Sequence, residues 1–266
     1  MDGASAKQSD GEALASAARF AERVANYIRY RPSYPAETIS FLLESIGIAA
    51  GGVVADLGSG TGIWSRLLLE AALEVRGVEP NAEMRQAAES ALGSCDRFQS
   101  LSGRSDQTGL EPGSVDLITA AQAFHWFDVP ATRKECMRIL KPDGFVSLLW
   151  NERQIDSSEF MIDYEALLQT YATDYNDVNH TNLAEPVFRE FYGHDTYCVA
   201  RFPNVQHFDY EGVEGRLLSC SYVPNEGQKG YEPMLKALHK IFVERAVEGQ
   251  IAFEYQTVVY CGRLEA

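Results

Sequence analysis

The chain has 266 residues, 45% of them hydrophobic and 11% aromatic, which is enough apolar material for a large core and unlike a disordered chain. Its formal net charge of −15 runs against a phosphate-rich partner, because nucleic-acid binding needs clustered Lys and Arg. No apolar run reaches the ~18 residues of a membrane span. The cysteines at 95, 136, 198, 220 and 261 are scattered and never form a C-x-x-C pair, so they read as free thiols rather than a disulfide framework or a metal site. The expectation is a cytoplasmic protein without nucleic acid, membrane or metal as partner.

Residues 1–12 are polar and small and read as a flexible tail. Leu14, Ala18, Ala21, Val24, Ala25 and Ile28 recur at helical spacing, and Pro32 ends that helix near Tyr30. Pro35 suits the first turn of a second helix carrying Ile39, Leu42, Leu43 and Ile46. Strand then alternates with helix: a strand at 53–56, a helix around Leu67–Leu69, a strand at 75–79, a helix at 82–92, and a short candidate strand at 98–101. An apolar strand at 115–121, a helix at 130–140, a turn at Lys141-Pro142-Asp143-Gly144 and a strand at 145–150 follow. Short apolar strands alternating with helices predict a parallel sheet covered on both faces. Further on, 157–172 reads as helix, 173–190 as a polar irregular stretch suited to a lid, Phe208 and Tyr210 as part of a sixth strand, 231–247 as a long helix and 251–260 as a last strand. With no Pro, Gly or Ser linker, 13–266 reads as one domain: 13–152 a ligand-binding core, and 153–266 a lid or insertion with the final strands.

The strongest chemical signal is Val53-Val54-Ala55-Asp56-Leu57-Gly58-Ser59-Gly60-Thr61-Gly62. A glycine-rich turn between the first strand and a helix lets backbone approach a ligand at the switch point of the sheet. The dinucleotide pattern G-x-G-x-x-G would need glycine at 63, where Ile63 stands. Glu79 ends the next strand, where a carboxylate can accept both hydroxyls of a ribose. A bare strand-helix connection is the alternative.

Asp56 to Gly62 with Glu79-Pro80-Asn81 resembles the class I S-adenosylmethionine-dependent methyltransferases, in particular the branch of ubiquinone-biosynthesis and trans-aconitate-type enzymes. The likeness continues through Gly103-Arg104-Ser105-Asp106, Val115-Asp116-Leu117-Ile118, Ala123-Phe124-His125-Trp126-Phe127 and Leu140-Lys141-Pro142-Asp143-Gly144. It implies a Rossmann-like, doubly wound, mostly parallel seven-stranded sheet with helices on both faces. It also implies S-adenosylmethionine as cofactor, S-adenosylhomocysteine as product and a small-molecule acceptor, with a carboxylate one option.

By the same resemblance Asp56 and the backbone of Gly58, Ser59, Gly60 and Gly62 face the methionine amine and ribose, Glu79 holds the ribose hydroxyls, and Pro80 lies against adenine. Ser105 and Asp106 sit in the adenine-edge loop, where Arg104 replaces the family's frequent aspartate. In Tyr27-Ile28-Arg29-Tyr30-Arg31-Pro32-Ser33-Tyr34-Pro35, which looks like the family's entry segment, Arg31 pairs with the cofactor carboxylate and Tyr27 and Tyr34 wall the pocket, or else all three merely pack a helix boundary. Gln122 touches the methionine part. His125 is a candidate general base or a packing residue, and Trp64 and Trp150 border the pocket or fill the core. Trp126, Asn151, Arg153 and Tyr222 are candidate substrate contacts, with Ser219, Ser221 and Thr257 near the acceptor. The competing functions are an NAD-dependent oxidoreductase and a non-catalytic cofactor-binding protein.

Overall fold

The computed structural model describes residues 26–172 and 185–265. Seven strands form one sheet in the order β3-β2-β1-β4-β5-β7-β6. They are β1 (Val53–Leu57), β2 (Glu74–Val78), β3 (Phe98–Leu101), β4 (Val115–Ala121), β5 (Leu140–Arg153), β6 (Cys198–Phe208) and β7 (Ile251–Gly262). The pairings β3·β2, β2·β1, β1·β4 and β4·β5 are parallel, and β7 runs antiparallel to β5. The helices are α1 (Ala36–Ile46), α2 (Ile63–Glu70), α3 (Ala82–Leu92), α4 (Val129–Ile139), α5 (Glu159–Tyr171), α6 (Glu185–Tyr192), α7 (Tyr210–Leu218) and α8 (Tyr231–Arg245), with a short 3-10 turn at Phe124–Trp126. This is the doubly wound, mostly parallel α/β sheet that the alternating pattern predicts.

The chain divides into two compact units. The first is Pro32–Gln154, Asn179–Val205 and Glu254–Ala266; the second is Met1–Arg31, Ile155–Val178 and Gln206–Phe253. In the first unit, side-chain parity sorts the core onto two faces. Ala55, Leu57, Val78, Ile118, Ala120, Val146, Leu148 and Trp150 pack with Cys136 and Ile139 of α4 and Phe188, Phe191 and Tyr192 of α6. Val54, Val75, Leu117, Leu149 and Val259 pack with Leu42 of α1, Trp64, Leu68 and Leu69 of α2, and Leu92 of α3. Neighbouring residues on one strand fall in opposite clusters because strand side chains alternate faces, so each central strand must be apolar along its whole length. In the second unit, Phe253 packs edge-on against Phe160, Tyr164 and Phe208, and Arg245 of α8 pairs with Asp163 and Glu159 of α5.

Several expectations are corrected. The turn at Lys141–Gly144 lies inside β5: Val115 pairs with Leu140 and Leu117 with Phe145, so β5 advances five residues while β4 advances two, and the excess is extruded as an excursion. The sixth strand is Cys198–Phe208, and Tyr210 instead opens α7, whose N-cap Asp209 accepts from the Gly212 amide. Within the stretch read as irregular, Glu185–Tyr192 is helical, with Phe188, Phe191 and Tyr192 buried. Residues 173–184 of the expected lid, and 14–25 of the expected first helix, lie outside the described residues; 26–30 are helical. No helix among the described residues is long and apolar enough to cross a membrane, and all five cysteines are free.

Candidate active site at the glycine turn

β1 delivers the chain into the turn at its carboxyl end. Gly58, Gly60 and Gly62 all take positive φ, at 68°, 56° and 83°, a region that costs other residues ~1–2 kcal/mol. Their surroundings differ. A Cβ on Gly58 would sit 2.6 Å from the Ala123 Cβ, and one on Gly62 would sit 2.6 Å from Leu92 Cδ1, whereas one on Gly60 would meet nothing nearer than the Gly58 carbonyl at 4.0 Å. Gly58 and Gly62 are thus closed by protein, and Gly60 faces open space.

Glu79, immediately after β2, spans this turn and the start of α3. Its Oε2 accepts from the Gly60 amide at 2.9 Å and its Oε1 from the Asn81 amide at 2.8 Å. The Glu79 amide itself donates to Leu101 of β3, so the carboxylate is placed by the sheet. Pro80 beside it is exposed. Thr61 Oγ1 and Trp64 Nε1, on either side of Gly62, are buried with no hydrogen-bond partner among the described residues. Unsatisfied buried polar atoms are costly. An open glycine, a carboxylate with lone pairs to spare and two waiting polar atoms fit a group that carries ribose hydroxyls and an amino acid.

Asp56, expected to face the methionine amine, is fully buried. Ser65 Oγ donates to its Oδ2 at 2.6 Å and Thr119 Oγ1 to its Oδ1 at 3.1 Å, so it anchors β1 to α2 and β4 beneath the turn. Burial pushes its carboxyl up to about 7 against the pull of those two hydroxyls, with the Glu79 charge adding to the rise. A folded value above the ordinary carboxyl value of 3.8 means that the folded state holds the proton over that interval. Stability contributed by Asp56 therefore grows as pH falls from about 7 towards 3.8 and is lost as pH rises through about 7. Replacing it by Asn should remove this dependence, so the stability gap between wild type and Asp56→Asn should shift by on the order of 1–3 kcal/mol between pH 5 and pH 8 in urea melts. A gap that does not move with pH would exclude Asp56 as the titrating group.

The loop expected to meet the adenine edge is tied up in its own contacts. Arg104 pairs with Asp106 through Nε at 2.9 Å and Nη2 at 3.3 Å, and Ser105 Oγ shares a 2.9 Å hydrogen bond with Thr132 of α4. Arg104 takes one acceptor site on each Asp106 oxygen and leaves a further lone pair on each.

After β4, Gln122 adopts φ 57°, uncommon for a residue with a Cβ and frequent at functional sites. Its amide donates to Leu149 and its Nε2 to the Asn151 carbonyl at 3.2 Å. The Trp150 indole N–H reaches His125 Nδ1 at 3.4 Å, which requires that nitrogen to be unprotonated and leaves the ring proton on Nε2. Trp126 is 67% exposed, Arg153 is half-buried, and Asn151 is buried among hydrogen bonds described below.

Tyr27, Arg31 and Tyr222 belong to the second unit. There Arg31 lies over the Tyr27 ring at 5.0 Å and its Nη2 donates to the Ser219 carbonyl at 3.1 Å, while its Nε is buried with no partner among the described residues. The buried Arg216 stands 3.2 Å from Cys220 Sγ. Burial raises the Cys220 thiol, but Arg216, Arg31 and a hydrogen bond with Tyr222 overcome this and bring it down to about 7. Sequence reasoning passed over Ser65, Thr119, Asn204 and Arg216. Only Thr119, a hydroxyl inside an apolar strand, carried a local signal.

Residues 55–148 match a family model described as Methyltransferase domain. An uncharacterized methyltransferase of Mycobacterium bovis is 40% identical over 134 residues, 50% of this chain and 52% of that one, so the match spans about half the relative's length. An uncharacterized methyltransferase-like protein of Schizosaccharomyces pombe is 27% identical over 92% of this chain and 95% of its own. A solved structure named for a type II methyltransferase, from Anaeromyxobacter dehalogenans, superposes with a TM-score of 0.66 at 21% identity, covering 89% of this chain and 100% of that one. The matched stretch runs from within β1 into β5 and holds the glycine turn and Glu79, so residues 55–148 are similar to a methyltransferase domain, on a sheet whose fold the solved structure shares.

Proposed function

We propose that the chain transfers the methyl group of S-adenosylmethionine to a small-molecule acceptor in the cytoplasm, with a carboxylate as the favoured acceptor group. The observation that carries the reading is the open face at Gly60 beside the Glu79 carboxylate. When bound, the cofactor would supply an electrophilic methyl carbon, to which an acceptor lone pair bonds while the C–S electrons pass to sulfur and S-adenosylhomocysteine leaves. The residues' share of the work is placement: Glu79 accepts from ribose hydroxyls, the glycine backbone permits close approach, and holding reactants in line supplies much of the acceleration. A carboxylate acceptor needs no base, which suits a His125 whose Nδ1 already accepts from Trp150. The charge of −15 favours neither nucleic acid nor an anionic membrane as partner.

The test is calorimetric titration with S-adenosylmethionine, S-adenosylhomocysteine and NAD, followed by incubation with methyl-labelled cofactor and a metabolite extract. Binding of the first two but not NAD, with label recovered in small-molecule methyl esters, is expected. Binding of NAD alone would restore the oxidoreductase reading. Cofactor binding without any labelled product would favour a non-catalytic binder, and label found only in RNA or protein would overturn the acceptor class.

A further inference from the structure

Asn151, near the end of β5, is 5% exposed, and its side-chain amide is engaged at both ends. Nδ2 donates to the carbonyls of Ser33 at 3.2 Å and Pro32 at 3.5 Å. Oδ1 accepts from Thr257 Oγ1 at 2.5 Å and from Asn204 Nδ2 at 3.0 Å. Carbonyl oxygens cannot donate, so the amide can face only one way. Thr257 is the β7 residue directly opposite Asn151, and Asn204 comes from β6 and donates to the Ser33 carbonyl as well, at 2.7 Å. Two side-chain amides thus hold down an irregular stretch of backbone.

What this stretch carries lies one residue on. Tyr34 is buried and meets Trp64 edge-on with ring centroids 4.9 Å apart. Trp64 is the second residue of α2, directly after Gly62 and Ile63, and its Nε1 is one of the two unsatisfied polar atoms at the turn. A continuous chain of contacts therefore runs from Asn151 through Pro32–Ser33 and Tyr34 to the helix that opens on the glycine turn.

We propose that Asn151 is a positioning residue that latches Pro32–Ser33 to the edge of the sheet, so that Tyr34 holds Trp64 and the start of α2 in the form that binds the cofactor. The cofactor arm rests on the function proposed above; the latch itself does not. Asn151→Asp keeps the size of the side chain but sets a carboxylate oxygen against two carbonyls. Hydrogen exchange on the free protein should then quicken at Tyr34 and at the Arg66 amide, which makes the first backbone bond of α2 to Gly62 at 2.9 Å. S-adenosylhomocysteine should bind about 10-fold more weakly or worse, as losing hydrogen bonds of this kind implies. In a Tyr34→Leu background the same substitution should cost less than about 2-fold, because residues acting in series are non-additive.

Unchanged exchange at Arg66, or a full loss of affinity that persists in the Tyr34→Leu background, would overturn the proposal. Should wild type bind no S-adenosylhomocysteine, the proposed function falls while the exchange measurement still decides the latch. Asn204→Leu removes one of the two hold-downs more gently and gives the same reading if Asn151→Asp does not fold.

Discussion

Gly60→Val should abolish measurable binding of S-adenosylmethionine while the sheet remains folded. Gly60 is the turn position where an added Cβ meets no protein atom closer than 4.0 Å, so the side chain would occupy space left for a ligand. The φ of 56° adds strain of ~1–2 kcal/mol for any L residue and more for a β-branched one, which the core should tolerate. A loss of two decades or more in affinity, over about 2.7 kcal/mol, is expected by calorimetry, with far-UV circular dichroism close to wild type. Gly58→Val is the informative contrast: its Cβ would strike Ala123 at 2.6 Å, so both stability and binding should fall. If Gly60→Val binds normally, the turn is only a connection between strand and helix.

How much of this was legible depends on whether the signal is local. β1 to β5 and their helices could be read because the central strands are buried on both faces and so appear as short apolar runs, separated by glycine turns and capped helices such as α3, where Asn81 accepts from the Met84 amide. α6 could not, since its outward Glu185, Arg189 and Glu190 are polar and only eight residues carry the pattern. The excursion at Lys141–Gly144 looked like the end of a strand because Pro142 and Gly144 punctuate it, and only pairing with β4 shows that the ladder resumes. The site divides along the same line. Glycine spacing and the acidic residue after β2 are written within 25 residues of one another. The hydroxyls around Asp56 and the ring of contacts around Asn151 join positions 33, 65, 119, 204 and 257, which only the folded sheet brings together.

Glu79→Ala should weaken S-adenosylmethionine binding roughly 10- to 100-fold, or ~1.4–2.7 kcal/mol, in the range found for hydrogen bonds to a charged group. Each Glu79 oxygen already accepts one backbone amide, from Gly60 and from Asn81. A carboxylate has about four lone-pair sites, so one on each oxygen stays free for a ribose hydroxyl, and the two existing bonds fix where those sites lie. The loss in Glu79→Ala then has two sources: missing ligand contacts, and a turn whose Gly60 and Asn81 amides have lost their acceptor. Glu79→Gln separates them. Glutamine has a single acceptor oxygen, so its NH2 would oppose one of the two amides, and it carries no charge to strengthen the remaining bond. Its affinity should therefore fall nearly as far as that of the alanine variant, while its melting temperature stays nearer to wild type because the bulk at this buried position is kept. A glutamine variant that binds like wild type would mean that size alone matters at Glu79, and a folded alanine variant with unchanged affinity would remove the ribose assignment altogether.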